Sequence, residues 1–209
     1  KIRPEKIRVI TNGIDFEKTE KLCRDTIEEG DVFRNPGAFR IISGGRLTPQ
    51  KNFQLLINAF ARLPDNSGAQ LAIIGYGEEM EALASLAEKL GVADRVSLPG
   101  YRENPWKYIA ASDVFVLSST FEGYPNVLLE AMATGVPVVS SDCPHGPREL
   151  IINGKNGILV PVNDESSLLK AMQRIREDRS LGKKLGDSGK ETARNLDLQK
   201  MVKQYESLF

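Results

Sequence analysis

The 209-residue sequence predicts an α/β domain with a doubly wound, mostly parallel sheet in three α/β/α layers. Three observations predict it. Short β-rich runs alternate with helical stretches along the whole chain, the pattern of successive βαβ units. The runs are apolar almost continuously, as strands covered on both faces require. The length suits one well-packed domain and is short for two.

In chain order the strand candidates are 7–11, 39–43, 71–75, 96–98, 114–117, 136–140 and 158–160. Helical patterns lie near 15–29, 49–63, 78–90, 105–111, 125–134 and 146–152. Three more helices, near 165–177, 180–194 and 197–208, finish the chain. The helices of 180–209 are polar, with apolar positions at Leu181, Leu185, Leu198, Met201, Val202, Tyr205 and Leu208. They fit either of two roles, packing on the domain's own edge or reaching a second domain.

Lys plus Arg and Asp plus Glu number 28 each, so no global basic field exists to recruit nucleic acid or anionic lipid. Any anion must be held by a local site. Cys23 and Cys143 stand far apart, and His145 is the single histidine, which argues against a zinc site and a disulfide scaffold and suits a reducing, cytoplasmic compartment. No run approaches the ~18 apolar residues of a spanning helix, and no signal peptide is evident. The start at Lys1 reads as a piece of something longer.

In a doubly wound sheet, ligands bind at the carboxyl ends of the strands. At the first such loop, Gly44-Gly45-Arg46-Leu47-Thr48-Pro49-Gln50-Lys51, two glycines permit a tight turn and close backbone approach. Thr48 then reads as an N-cap and Pro49 as the first helical residue. That puts Lys51 in the first helical turn, where a cation is unfavourable unless an anion sits between it and the helix. With Arg46 near, the loop reads as a phosphate or diphosphate site. The alternative is two solvated surface charges.

The second site follows the strand at 114–117. Phe121-Glu122-Gly123-Tyr124-Pro125-Asn126 leads into a helix that Gly135 stops. The helix is apolar on most sides, but Asn126, Glu130 and Thr134 recur at every fourth position and form one polar stripe. The stripe either faces water or meets a hydroxyl-rich ligand, since a carboxylate on a largely buried helix needs a partner. Phosphates at the helix start, a ribose beside Glu130 and a further group near Glu122 would together describe a sugar nucleotide.

Glu122 and Glu130, with the residues between them, resemble the Glu-x7-Glu motif of retaining GT-B glycosyltransferases, and the sequence is most similar to glycosyltransferase family 4. Four more motifs follow the same family in order. They are Ile10-Thr11-Asn12-Gly13-Ile14-Asp15, Gly44–Leu47 with Lys51, Ile74-Gly75-Tyr76-Gly77 with Glu78, and 153–161. The resemblance covers nearly the whole chain. It implies a Rossmann-like domain over 1–209, the C-terminal donor-binding half of a two-domain GT-B enzyme whose N-terminal acceptor domain lies outside this chain.

The resemblance also implies roles. Arg46 and Lys51 would hold the donor diphosphate, Glu130 the ribose hydroxyls and Glu122 the donor sugar, with Arg46, Lys51 and Glu122 counted as catalytic. Gly44, Gly45, Gly75, Gly77 and the backbone around Gly123, Tyr124, Asn126 and Val127 would face phosphate or sugar. Tyr101 and Arg102 would meet the nucleobase. The expected activity is metal-independent, retaining transfer from a nucleoside-diphosphate sugar, UDP-hexose by preference, to a glycan or lipid-linked acceptor in surface polysaccharide assembly. No cofactor is expected, and the fragment alone would be inactive. The setting would be the cytoplasm, extending to the inner face of the membrane if the full protein makes peripheral contact there.

Two other readings share these residues, a non-catalytic sugar-nucleotide-binding module and a sugar-nucleotide epimerase. The Gly75-Tyr76-Gly77 turn lacks the third glycine of a dinucleotide fingerprint, because Met80 replaces it, and no Walker A sequence is present. His145 in the 142–149 loop is read as a surface hydrogen-bonding residue or a contact to donor sugar or acceptor. Cys143 is read as a small buried residue.

Overall fold

The structure, a computed structural model, describes residues 3, 7–27, 31–35, 37–64 and 68–209. Six strands form one sheet: β1 (Phe39–Gly44), β2 (Ala69–Ile74), β3 (Val96–Gly100), β4 (Val114–Leu117), β5 (Val138–Ser141) and β6 (Ile158–Val160). Their order is β3-β2-β1-β4-β5-β6, and every pairing is parallel. The chain winds outward from β1 through β2 to β3, then returns to start again at β4. That reversal makes β1 and β4 the topological switch point, where a crevice opens outside the strand ends.

Helices α1 (Phe16–Leu22), α4 (Trp106–Ala110), α5 (Asn126–Thr134) and α6 (Pro147–Leu150) serve one face, and α2 (Phe53–Ala61), α3 (Met80–Lys89) and α7 (Glu165–Glu177) the other. Neighbouring strand residues divide between the two. Ile41 belongs to the core cluster that holds Leu56, Phe60 and Met172, whereas Ile42 belongs to the one that holds Leu128 and Met132. This two-sided burial explains the continuous apolar runs in the sequence. The edge helix α8 (Arg179–Asn195) joins both layers, with Leu185 in one and Ala193 in the other.

Several expectations are corrected. Residues 7–11 form no strand, and Ile7 and Val9 are 57% and 86% exposed. The segment pairs with neither edge strand of the sheet, and the chain touches the domain just after it, through the Ile14–Asp197 bridge. The helix expected over 15–29 ends at Leu22; 28 and 29 lie outside the described residues. The helix expected over 49–63 is two pieces. Pro49–Lys51 is a 3-10 turn, Asn52 is left-handed (φ 51°, ψ 44°), and α2 begins only at Phe53. The last helix, α9 (Leu198–Glu206), has no buried residue. It is tied on by Leu198 N–H to the Ile14 carbonyl (2.9 Å) and by Gly13 N–H to Met201 Sδ (3.3 Å), while Val202, Tyr205, Leu208 and Phe209 stay exposed. No helix among the described residues is long and apolar enough to cross a membrane.

Candidate functional site

At the switch point two loops lie against each other. Leu47 N–H donates to the Tyr76 carbonyl (2.9 Å) and Glu79 N–H to the Leu47 carbonyl (3.1 Å). The contact leaves no room for side chains: a Cβ on Gly75 would stand 1.9 Å from the Gly45 carbonyl oxygen, and one on Gly77 2.3 Å from that of Leu47. Gly75 also has φ of +140°, which side-chain-bearing residues rarely adopt. These glycines therefore bring the loops together, and the cleft forms over them.

The cleft has two connected parts. The larger, about 550 Å³, lies over the ends of β1 and β2, with Gly44, Gly45, Arg46, Tyr101 and Arg102 among its walls and Asn126, Val127 and Glu130 facing them from α5. The smaller, about 370 Å³, shares Gly45, Arg46, Thr48, Asn126 and Val127 and adds Lys51, Glu122 and Tyr124. Almost every residue predicted from the sequence thus meets here. Gly123 sits exposed on the adjoining loop, where Gly146 packs against its carbonyl, and His145 is exposed outside the residues lining the cleft.

Lys51 arrives by a route the sequence reading missed. It ends a 3-10 turn instead of starting an α-helix, and Thr48 makes no side-chain cap. The helix-dipole argument for an anion beside Lys51 therefore fails. Its counter-charge is in the chain: Lys51 Nζ donates to Glu122 Oε1 at 2.6 Å, with the two side chains only 15% and 7% exposed. The two separately argued sites are one site, joined by an ion pair.

Arg46 and Glu130 contrast with that pair. Arg46 is exposed, and its side chain makes no hydrogen bond or ion pair among the described residues. Glu130 is half-buried on the cleft wall and likewise has no partner; burial pushes its carboxyl above the ordinary range. Asn126 Oδ1 accepts from Asn12 Nδ2 at 3.1 Å. Thr134, the third member of the polar stripe, donates to the Ala131 carbonyl at 2.8 Å one turn back, away from the cleft. At the start of α5 the amides of Asn126, Leu128 and Leu129 are satisfied within the turn, and Val127 N–H, beside the cleft, has no partner among the described residues.

At the far end of the larger part, Tyr101 is exposed and Arg102 is restrained. The Arg102 guanidinium donates to the Pro99 carbonyl (2.6 Å) and pairs with Asp31 (2.9 Å), which also accepts from the Tyr108 hydroxyl. The Tyr108 hydrogen bond, then Arg102, holds the Asp31 carboxyl below its usual value. Asp31 stands 71 residues from Arg102, and no local sequence signal pointed to it. Asn12, whose carbonyl accepts from Tyr124 Oη (3.2 Å), was visible only as part of a motif. No group of three or more metal-ligating side chains occurs among the described residues.

A family model described as "Glycosyl transferases group 1" matches residues 26–192. Among curated relatives, the Rhizobium meliloti lipopolysaccharide core biosynthesis glycosyltransferase LpsE is 41% identical over 186 residues, covering 89% of this chain and 52% of that protein. The Campylobacter jejuni N-acetylgalactosamine-N,N'-diacetylbacillosaminyl-diphospho-undecaprenol 4-alpha-N-acetylgalactosaminyltransferase is 35% identical, covering 97% of this chain and 53% of that protein. The crystal structure of Anabaena Alr3699/HepE in complex with UDP-glucose superposes with a TM-score of 0.84 at 26% identity, over 99% of this chain and 58% of that one. The chain therefore spans about half the length of the relatives it matches.

Proposed function

We propose that this chain, which belongs to the glycosyl transferases group 1 family, is the donor-binding part of a retaining, family-4-type glycosyltransferase that uses a UDP-hexose. One observation carries the reading: the side chains of Arg46 and the half-buried Glu130, both without a partner among the described residues, face one cleft at the topological switch point. A free cation and a carboxylate in need of donors match the two chemistries of a sugar nucleotide, its phosphates and its ribose hydroxyls. The UDP-glucose complex of the Anabaena protein supports the choice of base and sugar class. The polysaccharide relatives support an acceptor that is a growing glycan or a lipid-linked sugar.

In the proposed reaction the bond from the anomeric carbon to the diphosphate oxygen breaks, and the acceptor hydroxyl bonds to that carbon and gives its proton to the departing diphosphate. Charge builds on the departing diphosphate. Arg46, Lys51 and the Val127 amide stabilise it, and no metal ion takes part in the proposal. Glu122 faces the sugar. The acceptor site would come from a second domain, in keeping with relatives about twice as long as this chain.

Titration calorimetry of this chain against UDP, GDP, ADP and their glucose or mannose derivatives tests the reading. UDP and UDP-hexose should bind, and Arg46→Ala should weaken them by roughly 10- to 100-fold, the range of a charge-assisted contact. Equal affinity of Arg46→Ala and the parent for UDP would remove the phosphate assignment.

A further inference from the structure

Glu122 is gripped from behind as well as by Lys51. The same Oε1 that takes the Lys51 ammonium accepts a second 2.6 Å hydrogen bond from the Ser119 hydroxyl. Ser119 has no exposed surface, and its carbonyl accepts from Cys143 Sγ at 3.1 Å; Cys143 is equally buried. Its neighbours clamp the facing loop. Ser118 Oγ donates to the Lys51 carbonyl (2.8 Å), and Thr120 N–H donates to the Gln50 carbonyl (2.8 Å). Of these three consecutive hydroxyl residues, Ser119 alone reaches a charged side chain.

We propose that Ser119 is a positioning residue for glycosyl transfer, holding the Glu122 carboxylate in place when the donor diphosphate draws Lys51 away. The proposal rests on the donor-site reading above. Lys51 lines the same part of the cleft as Arg46, and its ammonium is a point charge on a flexible stem. A phosphate entering there competes with Glu122 for that charge. Losing it would strand a nearly buried carboxylate, a costly state unless another donor stays. Ser119 has one side-chain torsion, and its backbone is fixed at the end of β4 by Cys143, so it stays.

The test uses the full-length protein and the sugar nucleotide that binds best in the calorimetric panel, with donor hydrolysis by water as the turnover assay. Ser119→Ala should lower kcat about tenfold or more with little change in KM, as for a lost hydrogen bond to a charged group. In a Glu122→Ala background the same substitution should add nothing. An equal loss in both backgrounds means that Ser119 only supports the loop, and the proposal fails. If Ser119→Ala does not fold, Ser119→Cys keeps the volume with a far weaker donor and carries the same cycle. Should Arg46→Ala weaken donor binding while the Ser119 variant keeps full kcat, the donor-site reading stands and the Ser119 assignment falls. If no donor binds the parent protein, both fall together.

Discussion

Two pairs of charged residues in the cleft differ in how far the protein has satisfied them. Around Lys51 and Glu122 the groups are paired: the ammonium has its carboxylate, that carboxylate has a hydroxyl as well, and the backbone behind is clamped by Ser118 and Thr120. The charged groups of Arg46 and Glu130 have no partners among the described residues. A satisfied pair is rigid and stable but must exchange partners to bind a ligand. An unsatisfied pair is ready to bind, and the empty protein bears the cost of a half-buried carboxylate. Mutations should therefore affect mainly stability in one pair and mainly binding in the other.

Four substitutions break or sharpen that contrast, in decreasing order of effect on stability. Gly75→Ala should disrupt both pairs, because its Cβ would overlap the Gly45 carbonyl at 1.9 Å in a backbone conformation alanine rarely takes. A loss of at least about 4 kcal/mol in denaturant unfolding is expected. Lys51→Ala leaves Glu122 nearly buried without its cation, and should cost about 3 kcal/mol of stability as well as donor affinity.

Glu130→Gln should do the reverse. Burial raises the folded-state pKa of Glu130 above its ordinary 4.5, so between those values the native state holds a proton that the unfolded chain has released. Stability contributed by Glu130 thus falls as pH rises from about 4.5 through the folded value. The Gln variant lacks that fall. Its thermal midpoint should exceed the parent's at neutral pH and converge with it below pH ~4, while UDP affinity drops roughly tenfold. A midpoint difference that is flat across pH 3–8 would show that Glu130 carries no such burden. Arg46→Ala should leave stability within about 0.5 kcal/mol, despite its effect on UDP binding; a larger loss would place the residue in a network the structure does not contain.

Much of this was legible in sequence because it is local or periodic. The continuous apolar runs gave seven strand candidates of which six are strands, and the four-residue spacing of Asn126 and Glu130 marked the cleft face of α5. Residues 7–11 misled because an apolar run does not reveal whether a neighbouring strand exists to pair with it. Lys51 misled because Thr48-Pro49 signals a helix start, whereas the left-handed Asn52 that delays α2 leaves no equally clear signal. Asp31 and Asn12 act across the fold, and their side chains are ordinary polar residues until a partner is placed beside them.

The sequence by itself determined the α/β class, the loops that carry the chemistry, and the residue types in them. Apolar period and turn chemistry act over a few residues and need no knowledge of distant neighbours. Only the tertiary structure decided which charges are satisfied. Lys51 and Glu122 lie 71 residues apart and meet because β1 and β4 are neighbours in the sheet. That same adjacency leaves Arg46 and Glu130 facing each other across the cleft. Ion pairing depends on distance in space, and here the strand order sets that distance.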